Sequence, residues 1–238
     1  MLNLDLHKAL GRWDVILCLL SIEICIVWPQ LDLSITGLFY DTALGGFPVA
    51  QWDIVKEIYH LFGKLHIITA LLLLVLTIYF SLNKHLLNRK RSAYLLCVLL
   101  LGPGLIVNLW LKDNSIGRAR PREVVEFGGQ SAFTPAFYNA HACDKNCSFP
   151  SGHAACGFYF IALAWAFHRR DLLLLGIALG SLLGLMRIAQ GGHFASDVLV
   201  SWWICYFTAA WLARLFGLAD PLESRSESLV PLASQFER

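Results

Sequence analysis

The sequence predicts an all-α, polytopic integral membrane protein with six transmembrane helices. Hydrophobic residues make up 57% of its 238 residues and charged residues only 15%, too little charge for a soluble domain of this size. The mean hydropathy is +0.58. The apolar residues also gather into six runs, each near the ~20 residues that a helix needs to cross a bilayer. Hydrocarbon cannot satisfy open backbone groups, so each run is expected as a helix rather than a strand. A net charge of +2 is too mild for a nucleic-acid partner, which is set aside.

The runs fall at about 14–29, 60–80, 93–111, 153–167, 172–190 and 197–216. Lys8 and Arg12 precede the first. The loop 30–59 that follows it is acidic, with Asp32, Asp41, Asp53 and Glu57 against Lys56 alone. Lys84, Arg89, Lys90 and Arg91 join the second and third runs, and Arg169 and Arg170 join the fourth and fifth. The positive-inside rule makes that side cytoplasmic, with both termini inside and the loops 30–59 and 112–152 outside. The short fourth run suits a helix whose N-terminal end is buried in protein. Residues 1–219 read as one domain, with its motif-bearing core at about 93–216, and 220–238 as a cytoplasmic tail rich in Ser and charge.

Cys18, Cys25, Cys97, Cys156 and Cys205 lie in apolar runs and read as small core residues. Cys143 and Cys147 lie in the outer loop "HACDKNCSF", where an oxidising compartment favours a local disulfide. Zinc bound with His141 would be short of ligands, so no metal site is expected.

Three polar blocks stand where free polar groups are costly. The first, "LKDNSIGRARPR", places Lys112, Arg118, Arg120 and Arg122 directly after a span, on the side where the orientation rule disfavours cations. The second is Pro150-Ser151-Gly152-His153. Its proline fits the first turn of a helix, and its hydroxyl and unobstructed amide suit a bound phosphate. The third, "MRIAQGGHFASD", ends the fifth span on Arg187 and opens the sixth with His193 and Asp197. Their spacing of four puts both on one helix face, where the carboxylate can accept from one imidazole nitrogen and leave the other as a nucleophile. All three blocks map to the outer ends of spans three to six. Together they offer cations and donors for a tetrahedral anion, an oriented His and a second His.

In these blocks the chain resembles the type 2 phosphatidic acid phosphatase family, whose superfamily also holds soluble acid phosphatases and vanadium haloperoxidases. The Pro-Ser-Gly-His motif is complete at 150–153. The third motif is met by Arg187, His193 and Asp197, with Met186 in place of a Ser. The first is met by Lys112, Arg120 and Pro121, with seven intervening residues instead of six, which leaves open whether Lys112 or Arg118 reaches the phosphate. "GRARPRE", "FGG" and "FTPAF" are similar to bacterial enzymes that dephosphorylate lipid A.

The resemblance implies a metal- and cofactor-independent phosphatase of the bacterial inner membrane, with its site facing the periplasm. It implies that His193 attacks phosphorus, Asp197 holds its tautomer, and His153 protonates the leaving oxygen and then activates water. Lys112, Arg120, Arg187, Ser151 and the Gly152 amide would hold the phosphate oxygens. Lipid A is the favoured substrate; undecaprenyl diphosphate, phosphatidylglycerophosphate, phosphatidic acid and transfer to a second lipid stay open.

Overall fold

The apolar runs fold as helices whose ends are set by local chemistry. The computed structural model describes residues 12–112 and 116–222; Lys8 and most of the expected tail lie outside them. Helix α1 (Trp13–Val27) stops before Pro29, and α2 (Gln30–Gly37) leaves at 85° to it. A 3₁₀ turn at Pro48–Gln51 leads into α3 (Asp53–Leu82). Helix α4 (Leu86–Leu99) continues to Lys112 in wide π-type turns over Leu100–Lys112. Those turns enclose Pro103, which has no amide to donate and breaks the ordinary ladder. The Asn108 side chain donates to the Pro103 carbonyl at 2.7 Å.

After the outer loop come α5 (Gly152–Phe158), a 3₁₀ turn at Tyr159–Ile161, and α6 (Ala162–Phe167). Helices α7 (Arg170–Ala189) and α8 (Ala195–Leu215) complete the bundle. Among the described residues there is no strand, only two isolated bridges.

Four helices are long and apolar enough to cross a membrane: Asp53–Leu82, Leu86–Lys112, Arg170–Ala189 and Ala195–Leu215. The bent pair α1–α2 makes a fifth if taken as one span. The fourth expected span, Gly152–Phe167, falls short of that length. At ~1.5 Å per residue it reaches only about 24 Å, against ~30 Å of hydrocarbon. Protein explains the shortness, because Ala154, Ala155, Phe158, Ile161, Ala162, Ala164 and Trp165 are all buried.

A ridge of glycines on α7 brings this short segment in close. A Cβ added at Gly180 would lie 2.0 Å from the Phe158 ring, and one at Gly176 2.3 Å from the Ile161 amide nitrogen. Gly157 meets Gly180 backbone to backbone, where an added Cβ would come within 2.6 Å. Neighbouring helices are tied by polar contacts: Tyr94 Oη donates to the Ala209 carbonyl at 3.1 Å, and Trp203 Nε1 to Ser21 Oγ at 2.8 Å.

Candidate active site

The bundle gathers all three polar blocks at one end. Lys112 closes the π-type segment and Arg187 lies in the last turn of α7. Ser151 caps α5, its Oγ accepting from the Ala154 amide at 3.4 Å. Pro150 therefore lies outside the helix, not in its first turn, and the Phe149–Pro150 bond is cis. His193 likewise precedes α8, which begins at Ala195. The expected shared helix face does not form, because Gln190-Gly191-Gly192 turns the chain and only Asp197 lies in the helix.

This changes what holds the imidazole. His193 is 1% exposed, and its Nδ1 lies 2.6 Å from the Ser148 carbonyl but 3.5 Å from Asp197 Oδ2. A carbonyl only accepts, so Nδ1 carries the proton and the lone pair is on Nε2. The Asp197 carboxylate is already occupied, accepting from Ser148 Oγ at 2.5 Å, the Phe194 amide at 2.8 Å and Arg118 Nη1 at 2.7 Å. It positions His193 through Ser148 rather than by the direct bond that the spacing suggested. Burial, then the fields of Lys112, Arg187 and Arg120, hold the His193 pKa well below the ordinary imidazole value. At neutral pH the ring is uncharged.

Arg118 does not reach for an anion. It is fully buried, with Nη2 2.8 Å from Asp32, Nη1 2.9 Å from Ser196 Oγ, Nε 2.9 Å from the Thr134 carbonyl, and its guanidinium over the Phe194 ring at 4.2 Å. Asp32, on α2, also accepts from the Ser196 amide at 2.9 Å. An ionic chain thus runs from Asp32 through Arg118 to Asp197 and on to Ser148 and His193. Of the two first-block candidates, Lys112 is the one beside the second block: a Cβ on Gly152 would lie 3.6 Å from its Nζ and 2.5 Å from Asn108 Oδ1.

Arg187 is 4% exposed, with its guanidinium over the Tyr59 ring at 4.8 Å and its Nε buried without a hydrogen-bond partner. Gly192 leaves room for it, since a Cβ there would lie 2.3 Å from Arg187 Nη2. Arg120 donates from Nη2 to the Asn146 carbonyl at 2.6 Å, and its pKa is lowered by burial and then by Arg122. His153 stacks on Tyr59 with ring centroids 4.4 Å apart, and its Nε2 lies 3.1 Å from the Tyr59 carbonyl.

Two cavities flank these residues. One of about 420 Å³ is lined by Arg120, Arg187, Tyr59 and Gln190 together with outer-loop side chains. The other, about 400 Å³, is mainly apolar and runs past Lys112, Gly152 and His153 to Phe62 and Leu109. Asn146 borders both. Cys143 and Cys147 are bonded, their Cα atoms 5.6 Å apart, and close the loop that carries Asn146. Among the described residues no group of three or more His, Cys, Asp or Glu is placed to hold a metal.

Asp32, Tyr59 and Ser148 were not singled out by the sequence. The sequence offers Asp32 as one of the acidic residues of the loop 30–59, with nothing to tie it to the three blocks; Ser148 acts partly through its backbone, which no side-chain motif reports.

A neutral imidazole among buried cations suits a tetrahedral anion, and the helices around it are of membrane length. Fold and site together define the class: membrane enzymes that act on phosphate esters. The chain belongs to the PAP2 superfamily, whose pattern matches residues 92–220, and it is a phosphatase. It is 33% identical to a lipid A 4'-phosphatase of Francisella tularensis subsp. novicida over 84% of this chain and 94% of that protein. With a lipid A 4'-phosphatase of Rhizobium leguminosarum the identity is 30%, over 74% and 82%. A lipid A 1-phosphatase of Rhizobium etli is 37% identical over 51% of this chain and 53% of that protein. No solved structure matches.

Proposed function

We propose that the chain removes a phosphate from lipid A at the periplasmic face of the bacterial inner membrane, through a phosphohistidine on His193. The observation that carries the mechanism is the Nδ1 contact of His193 with the Ser148 carbonyl at 2.6 Å, which leaves the Nε2 lone pair for phosphorus. Nε2 attacks, the P–O ester bond breaks, and His153, which takes up a proton at Nδ1 as the phosphate dianion binds and offsets the surrounding cations, gives that proton to the leaving oxygen. Water then loses a proton to His153 and attacks the phosphohistidine, which releases inorganic phosphate and restores neutral His193. With its Nε2–H on the Tyr59 carbonyl, His153 gives and takes the proton at Nδ1. Lys112, Arg120, Arg187, Ser151 and the Gly152 amide hold the phosphate oxygens, and no metal is required.

On this reading the chain crosses six times, with α1–α2 as the bent first span and Gly152–Phe167 as the short fourth, both termini lying inside. The 4'-phosphate is favoured because the relatives named for that position match over more of the chain than those named for the 1-position.

The test is phosphate release by purified protein in detergent with EDTA. The panel is lipid A, undecaprenyl diphosphate, phosphatidylglycerophosphate and phosphatidic acid. Lipid A is expected to be hydrolysed best. His193→Ala should abolish release, and His153→Ala should slow it by ~10²–10⁴. Full activity in His193→Ala, or release from another lipid alone, contradicts the assignment.

A further inference from the structure

The polar cavity carries more positive charge than one phosphate needs. Its lining holds five permanent cations, Lys56, Arg120, Arg122, Lys145 and Arg187, against one carboxylate, Glu123. Arg120 and Arg187 are buried and belong to the reacting phosphate; the other three are exposed on its rim. They come from three separate places: the first turn of α3, the 3₁₀ turn Pro121–Glu123, and the disulfide-closed loop 143–147.

Little within the protein neutralises them. Glu123 accepts from the Arg120 amide at 2.9 Å, and Lys56 lies 3.0 Å from the exposed Asp53. Among the described residues, Arg122 and Lys145 make no ion pair. A cavity of about 420 Å³ also has room for a sugar headgroup beyond a single phosphoryl group. Like charges converging on one cavity are unfavourable unless an anion enters it.

We propose that Lys56, Arg122 and Lys145 form a second anion subsite, which takes a second phosphate of the same headgroup while the first is transferred. This rests on the reading of a lipid A substrate, whose 1- and 4'-positions are both phosphatase targets by the names of the relatives. The subsite sets affinity and selects bisphosphorylated substrate; it does not touch the reacting atoms.

The test compares phosphate release from lipid A bearing two phosphates and from the form bearing one. Wild type is set beside Lys56→Gln/Arg122→Gln/Lys145→Gln, full-length and in detergent. Wild type should show a KM about tenfold lower for the bisphosphate, because exposed charge contacts are weak singly and three act together. The triple variant should lose that preference, with kcat and the KM for the monophosphate unchanged. Equal KM values in wild type, or a preference that survives in the variant, overturn the subsite.

Adding millimolar unlabelled inorganic phosphate to the monophosphate reaction, followed through radiolabelled substrate, identifies the source of the anion. A fall in KM means that a separate phosphate fills the subsite and overturns the same-headgroup assignment. No fall means that the anion belongs to the substrate. Failure of the lipid A reading looks different, because wild type then releases phosphate from neither form. In that case, calorimetric binding of glucosamine 1,6-bisphosphate against glucosamine 6-phosphate decides the subsite, and equal affinity overturns it.

Discussion

The ion chain from Asp32 to Asp197 predicts a large and directional effect of Arg118 substitution. Arg118→Met removes the one cation between two buried carboxylates, at 0% side-chain exposure for Arg118 and Asp197 and 6% for Asp32. Leaving a buried charge without its partner costs ~3–5 kcal/mol. At ~2–4 °C per kcal/mol for a chain of this size, the melting temperature should fall by roughly 6–20 °C. Asp32→Asn alone keeps an acceptor for the Ser196 amide and should cost less. With both substitutions one orphaned carboxylate is gone, so the double variant should be less destabilised than the sum of the singles by at least ~1 kcal/mol. The assay is thermal unfolding in detergent followed by tryptophan fluorescence, with phosphate release measured alongside. Turnover should fall in Arg118→Met even well below its melting temperature, because Ser148 and hence the His193 ring lose their anchor. Unchanged melting in Arg118→Met, or strict additivity in the double variant, would show that the chain holds nothing in place.

Gly192→Ala should reduce turnover ~10²–10³-fold with little loss of stability, since the new methyl displaces the Arg187 guanidinium from the phosphate; wild-type kinetics would refute this. Because the folded pKa of His193 lies below its unfolded value of ~6.5, the unfolded chain binds the extra proton as pH falls below that value, and stability falls with it. Melting temperatures at pH 8 and pH 5 should therefore drop more in wild type than in His193→Gln, and parallel curves contradict the assignment of a neutral ring. Cys143→Ser/Cys147→Ser should raise KM a few-fold and leave kcat alone, because the loop that places Asn146 over Arg120 loosens; unchanged steady-state kinetics would show that the bond does not support the site.

The local parts of the site were readable and the long-range ones were not. Ser151, Gly152 and His153 lie in four consecutive residues, and Arg187 stands six residues before His193, so motif spacing finds them. Arg118 lies in the same short block as Arg120, yet Arg120 faces the polar cavity and Arg118 the protein interior. What separates them is Asp32, 86 residues away from Arg118 and visible only once α2 folds back at 85°. A spacing of four also misled at His193 and Asp197, because two glycines place the histidine before the helix and give its proton to a carbonyl. In the fold, the apolar runs located the helices well. The short run 153–167 was expected to bury its N-terminal end in protein, and the burial of Ala154, Ala155 and Phe158 agrees with that.

The glycine ridge of α7 also fixes one wall of the bundle. With Gly157 against Gly180 and Gly176 against Ile161, α5 and the 3₁₀ turn after it interlock with α7 backbone to backbone, and sliding either past the other would drive side chains into main chain. Helix α3 packs against α4 and turns most of its apolar surface outward: 6% of its most apolar stretch is buried, against 39% in α7 and 44% in α8. It also carries Phe62, Gly63 and His66, which line the apolar cavity beside His153. The half that holds Arg187 and the Ser151 turn is thus interlocked through main chain, whereas α3 meets the bundle through side chains and leaves most of its length to the surroundings. Amide hydrogen exchange should separate the two halves in the same way, with the fastest exchange within any membrane-length helix along Asp53–Leu82.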